Sequence, residues 1–511
     1  MKVKNKLQAN LIFAMVNMAV QVLQSMWITS YIQRTMGVEA YGYIAVVVNI
    51  VQAAGIVSVA FTSVCSRYIV IEMEKGDREK TNRIFSTMFY SLIALSILCV
   101  GVFGILILNI SKVMNVSQAY IAQVSWLMLI VTIDFAIQLI QVPYLSMYYY
   151  EEKIYLSYLT QISANLVKVA MVYIIFNVWR PVLWASHMGA FVVNLGAVIL
   201  YHLYMRRKFG YITPRIQNFD LEKLKEILGT GIWVSVNKLA AIMMTLCGTY
   251  MVNKLLGTYL AGIYGSVTQI QSMLSFITVA VVSVFLPEMY KKYAQNAMPA
   301  LVSYTRNIIR MTSMFLGIIA GGVVICGNEF MSLWISEEYK SFGVLIIIST
   351  VYLPLIYSSE MLNQLLITLS RTKEIAILSI VTGIANLILA IVLVKYTTLG
   401  IYAISLAQAI VSIIRTLFVM PIYVAKIVRQ KWYIFLAKQL SGWKTIVLAS
   451  VCGMLYCRFI EVESWFTLIV VCALIALTTA GIMILIDREI RDFFKTVVWK
   501  KTVVQNKIEN Q

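Results

Sequence analysis

Gly37-Val38-Glu39-Ala40-Tyr41-Gly42 and Gly257-Thr258-Tyr259-Leu260-Ala261-Gly262 stand 220 residues apart, each opening an apolar stretch. At the same offset Val16-Asn17 meets Val236-Asn237, and Ala60, Ser63 and Val64 meet Ala280, Ser283 and Val284. With a shift of one more residue, Ala164-Asn165-Leu166 meets Ala385-Asn386-Leu387. Any one match is weak in an apolar alphabet. Their collinearity across the first, second and fifth apolar stretches marks a duplicated chain.

Working outward from this repeat, 60% of the residues are hydrophobic and the mean hydropathy is +0.81. The chain breaks into about fourteen runs of the roughly 20 residues needed to cross a bilayer. The expected fold is an all-α polytopic membrane protein with two six-helix lobes, 1–205 and 227–425. A polar linker, 206–226, joins them and carries a short amphipathic surface helix at Leu221–Ile227. Residues 426–511 add helices 13 and 14 and a basic tail. Because each half holds an even number of crossings, the halves enter the membrane alike and form parallel repeats.

The 42 lysines and arginines fix the sidedness. One set of connections, with both ends of the chain, holds 32 of them, and the other set holds seven: Arg34, Lys112, Arg180, Lys254, Lys340, Lys395 and Arg458. This asymmetry predicts that both termini lie on the cytoplasmic side of the membrane. The net charge of +19 therefore reflects topology and anionic headgroups, not a nucleic-acid partner. Seven cysteines without a C-x-x-C pair, and only two histidines, argue for buried apolar thiols and against a metal site. Lys2, Lys4 and Lys6 before an apolar stretch mimic a signal peptide, but that stretch is long enough to be the first helix.

Amides have no use on lipid-facing surfaces, so their placement reports faces that meet protein or water. Asn10, Asn17, Gln21 and Gln24 form one stripe on helix 1, and Asp134, Gln138 and Gln141 another on helix 4. Helix 5 carries Gln161, Asn165 and Lys168, and helix 8 carries Gln269. Interhelical hydrogen bonds explain a single stripe; polar stripes on many helices favour a shared hydrated cavity. The charges are sharper, because a buried one costs about 2.5–3.5 kcal/mol unless paired or wet. Lys168, Lys238 and Arg415 are expected to bind an anionic substrate, with Asn17, Asn237 and Gln269 as polar contacts. Asp134 and Glu360 serve as counter-charges or coupling sites. In the repeat register Arg415 replaces Asn194 and Lys238 replaces Met18, so the lobes are electrically unequal. That suits a substrate with one charged end.

The turn Arg34-x-x-Gly37-x-x-x-Tyr41-Gly42-Tyr43 and the segment Gly76-Asp77-x-Glu79-x-x-Asn82-x-x-Phe85-Ser86-Thr87 accompany the two parallel halves. Together they resemble the polysaccharide exporters of the multidrug/oligosaccharidyl-lipid/polysaccharide (MOP) superfamily, a MATE-like fold, and especially the Wzx-type O-antigen and capsule flippases. The likeness covers about residues 5–425. It implies transfer of undecaprenyl-diphosphate-linked oligosaccharide to the outer leaflet by alternating access, without bond chemistry. It also implies a cationic cavity, no bound cofactor, and coupling to a proton or sodium gradient in some members. Polysaccharide polymerase and glycosyltransferases would be its working partners. The cavity role comes to Lys168, Lys238 and Arg415 by depth alone. Lipid II flippases of the superfamily place arginines in the first two helices; here the first span has none. Cation-coupled drug exporters carry an acid in the N-terminal half, and Asp134 keeps that alternative open. A glycosyltransferase or polymerase would need longer outer loops.

Overall fold

The computed structural model describes residues 3–244, 246–369 and 371–486, and every regular element among them is helical. The first half comprises α1 (Val3–Met36), α2 (Val38–Glu74), α3 (Arg78–Leu108), the short α4 (Ile110–Val113), α5 (Ile121–Tyr150), α6 (Tyr155–Val178) and α7 (Ala185–Lys208). The second begins with α8 (Leu221–Met244), α9 (Leu246–Leu256), α10 (Thr258–Ala294) and α11 (Met298–Trp334). It continues through α12 (Gly343–Thr350), α13 (Leu353–Ser358), α14 (Glu360–Thr368), α15 (Thr372–Tyr396), α16 (Ile401–Ile414) and α17 (Met420–Ile427). After α18 (Tyr433–Gln439) come the two last crossings, α19 (Ser441–Cys457) and α20 (Trp465–Ile486).

Among the described residues thirteen helical stretches are long and apolar enough to cross a membrane, and the chain is a multi-pass membrane protein. The expected crossing at 227–250 falls on α8 and α9, which meet at residue 245, outside the described residues. The basic tail beyond 486 also lies outside them. The linker's surface helix is not a separate element. It is the first two turns of α8, started by Asp220, whose Oδ1 accepts the N–H groups of Glu222 and Lys223 at 3.0 Å each.

The duplication is written into the backbone. Gly37 (φ +89°) and Gly257 (φ +99°) end α1 and α9, and their N–H groups return to the carbonyls of Gln33 and Asn253 at 2.9 and 3.1 Å. Positive φ at both positions is why glycine recurs there. At the next turn Gly76 (φ +73°) is matched by Asn296 (φ +54°), the side chain that tolerates this region best. Asp77 N–H reaches the Glu72 carbonyl at 3.2 Å, and Ala297 N–H reaches that of Lys292 at 3.1 Å. Both turns repeat at the offset of 220 seen in the sequence.

The chain forms two compact units, Met1–Gln269 with Thr372–Ala407, and Ile270–Arg371 with Gln408–Gln511. Unit boundaries cut across the sequence halves because α8 packs on both α2 and α15. In the second unit α11 lies along α19 at small residues: a Cβ on Gly317 would meet the Gly442 carbonyl at 2.6 Å. The C-terminal pair α19 and α20 is thereby part of this unit's core, with Gly453 seated against Ile325 and Ile475.

Unit one holds the two glycine motifs together. A Cβ on Gly42 would lie 2.3 Å from the Thr258 carbonyl oxygen, and one on Gly262 2.2 Å from that of Val38. These two contacts interchange under the repeat, so the starts of α2 and α10 cross with local two-fold symmetry. Only glycine permits backbones this close.

The Asn82–Thr87 motif fastens the linker to α3. Asn82 Nδ2 donates to the Tyr211 carbonyl at 2.6 Å, while its Oδ1 accepts the Thr213 N–H at 2.8 Å. Ser86 Oγ accepts the Arg215 N–H at 3.2 Å, Thr87 Oγ1 accepts that of Asp220 at 3.0 Å, and Arg78 covers the Tyr211 ring at 5.0 Å. Replacing Asn82 by alanine removes two bonds and leaves two main-chain groups to find water. We expect a loss of about 1–3 kcal/mol of stability, and faster proteolysis within 206–220. Equal cleavage rates for wild type and Asn82→Ala in membrane vesicles would refute this.

Candidate functional site: membrane-buried charge pairs

In each unit an acid within a helical stretch has a cation of the same unit in Coulomb range. In unit one Asp134, on α5, is 6% exposed. Its Oδ1 accepts Asn194 Nδ2 from α7 at 2.8 Å, and its Oδ2 accepts Gln138 Nε2, one turn along, at 2.9 Å. Gln141 completes the stripe by donating to the Asn194 carbonyl at 2.8 Å. The three polar residues of α5 thus share one face, as their spacing requires. Lys168 on α6 is half-buried and within Coulomb range of Asp134. Gly189 makes room for it: a Cβ there would stand 2.5 Å from the Lys168 Cα. His187, also on α7, is within Coulomb range of Lys168 and places Nδ1 3.1 Å from Ser186 Oγ.

Unit two repeats the scheme with a different partner. Glu360 opens α14 and accepts from Asn363 Nδ2 at 2.9 Å and Gln364 Nε2 at 3.0 Å. Arg415 interacts with Glu360 electrostatically. It begins a π-helical turn, Arg415–Val419, between α16 and α17. Such turns locally unwind a helix and are frequent at functional sites. Asn194 and Arg415, equivalent in the repeat, therefore both face the acid of their own half: an amide on one side, a guanidinium on the other.

The remaining expected site residues lie elsewhere. Asn17 is buried, donates Nδ2 to Gln161 Oε1 at 3.0 Å, and keeps its own Oδ1 without a hydrogen bond. Asn10, below it on the stripe, donates Nδ2 to the Glu152 carbonyl and accepts the Tyr155 N–H, at 3.0 and 2.8 Å. Part of the helix 1 stripe is therefore a joint to α6 and the turn before it. Gln269 sits above the glycine crossing, donating to the Tyr41 hydroxyl at 3.1 Å. Asn237 and Lys238 belong to α8, and their side chains lie outside the described residues. The sequence reading did not single out His187; that both histidines of the chain, His187 and His202, fall on α7 was the available signal.

The chain is a long helical membrane protein with duplicated turns and charged side chains within its helical stretches, and it shares its fold with transporters. It matches the lipid II flippase MurJ in an inward closed conformation, with TM-score 0.70, 15% identity, and 95% of this chain and 99% of that chain covered. It also matches an inward-facing multidrug resistance MATE family transporter of the MOP superfamily, with TM-score 0.67, 12% identity and coverages of 86% and 98%. Among curated sequences it is 26% identical to the uncharacterized membrane protein EpsK of Bacillus subtilis (strain 168) over 456 residues, covering 88% of this chain and 89% of that protein. The chain belongs to the polysaccharide biosynthesis protein family, whose sequence model matches residues 7–292.

Proposed function

We propose that this protein is a flippase that moves undecaprenyl-diphosphate-linked oligosaccharide from the cytoplasmic to the outer face of the bacterial cytoplasmic membrane by alternating access. The observation carrying this reading is that Lys168 and Arg415, half-buried within helical stretches of their units, each have one carboxylate in Coulomb range. A cation held this way can exchange its internal partner for a diphosphate without ever standing unpaired in a low-dielectric site. Arg415 offers a planar fork suited to phosphate, and Lys168 a point charge. Asp134 and Glu360, displaced from their cations by substrate, would then take up a proton or sodium ion, which couples the cycle to a gradient. Family membership and the MurJ-like fold support the lipid-linked substrate. The lipid tail stays in the bilayer and no bond is made or broken, so the protein is not an enzyme. Both termini face the cytoplasm, where glycosyltransferases build the cargo; a polymerase receives it outside.

Deleting the gene should accumulate lipid-linked repeat units on the cytoplasmic face and deplete surface glycan. A cation-coupled drug or metabolite exporter is the second reading, supported by the acid in the N-terminal half and the MATE-like fold. Under it, deletion changes drug sensitivity while surface glycan stays intact.

A further inference from the structure

On the side assigned to the cell exterior, the polar contacts of unit one form one connected seam. Asn115, in the loop after α4, and Asn253, near the end of α9, bond to each other in both directions. The Asn115 N–H donates to Asn253 Oδ1 at 2.9 Å, its Nδ2 donates to the Asn253 carbonyl at 2.6 Å, and Asn253 Nδ2 returns a bond to the Asn115 carbonyl at 3.3 Å. Thr258, whose own carbonyl lies under Gly42, donates its hydroxyl to that same Asn115 carbonyl at 2.9 Å and accepts from Asn253 Nδ2 at 3.0 Å. Tyr250 and Lys254 extend the seam by donating to the carbonyls of Val113 and Lys112, at 2.9 and 2.7 Å.

The loop after α4 belongs to the first sequence half, whereas 250–258 belongs to the second. Their contact therefore ties the repeats together immediately beside the glycine crossing. Asn253 is fully buried, while Asn115 and Lys254 are exposed. Amide and hydroxyl bonds at a water boundary can be exchanged for bonds to water with little net cost each. Aliphatic packing of the same extent has no such substitute. A seam of this chemistry closes firmly as a set and can still open.

We propose that Asn115 and Asn253 form a latch that holds the outer ends of the two repeats together and must open once in each transport cycle. The word cycle rests on the flippase reading; the latch itself does not. Intact cells carrying Val38→Cys, a position buried at the crossing, are treated with a membrane-impermeant maleimide. The chain without that cysteine gives the background. Adding Asn253→Ala, or separately Asn115→Ala, should raise labelling at position 38 about fivefold or more. Unchanged labelling in a variant that accumulates normally overturns the latch. If neither alanine variant accumulates, Asn115→Cys/Asn253→Cys decides. An added oxidant removes two electrons and two protons from the thiol pair to give a disulfide, which should stop surface-glycan export until reduced. Undiminished export by fully cross-linked protein overturns the proposal. If the cargo is something other than lipid-linked glycan, labelling still rises in the alanine variants while glycan export is unaffected in all of them.

Discussion

Gly262→Val should abolish glycan export while Gly101→Val leaves it intact. At Gly262 a Cβ would stand 2.2 Å from the Val38 carbonyl oxygen, well inside contact distance, and valine adds two methyl groups beyond it. The obstacle is backbone, which cannot rotate away as a side chain would, so α2 and α10 must separate. Forced overpacking of this kind costs about 1–3 kcal/mol or more. At about 1.4 kcal/mol per tenfold change, the closed arrangement loses up to a hundredfold in population. Gly101 has no atom within 4 Å of its Cβ position, so the same substitution there meets only open space. Gly37→Ala separates conformational strain from contact. Nothing lies near its Cβ, but its φ of +89° penalises any side chain. It should lower thermal stability by about 1 kcal/mol and spare the crossing. Wild-type export by Gly262→Val would show that the crossing does not need to close.

Arg415→Gln should sharply reduce both membrane abundance and export, and the double variant Glu360→Gln/Arg415→Gln should restore abundance alone. The single change leaves half-buried Glu360 with the Asn363 and Gln364 amides but without the Arg415 charge, at a cost of up to about 3 kcal/mol, the low end for a buried pair broken from one side. Neutralising both partners removes that penalty, since isosteric replacement of a buried pair is often neutral. Export separates the roles. If Arg415 receives the diphosphate, the double variant is well inserted yet exports at least about tenfold less, one charge-assisted hydrogen bond being worth about 1.5–3 kcal/mol. Recovery of export together with abundance would make the pair structural and remove Arg415 from the substrate site.

Several features were legible before any coordinates. Gly37-x-x-x-x-Gly42 and its copy at 257–262 announced the duplication, and the glycines recur because positive φ and backbone contact both demand them. The period of Asp134, Gln138 and Gln141 gave their common face, while Asn194 and Arg415, paired by the repeat register, interact with acids at different repeat positions, Asp134 and Glu360. Other readings needed partners that lie far away in the chain. The sequence motif Asn82–Thr87 carries no mark of the linker it holds, because its bonds go to main-chain groups more than a hundred residues on. Asn17 and Gln269 look alike as intramembrane amides, yet one joins α6 and the other reaches Tyr41. An amide's periodicity gives its face, not what that face meets.

By itself, then, the order of residues determined a membrane-embedded, duplicated, all-helical chain. Those properties follow from local sums, above all apolar length against bilayer thickness. Only tertiary packing decided that α8 joins α2 and α15, that Lys168 comes within Coulomb range of Asp134, and that two asparagines 138 residues apart bond to each other. Each of these depends on which helices touch, a choice made by small residues and reciprocal hydrogen bonds between distant segments that no local pattern encodes.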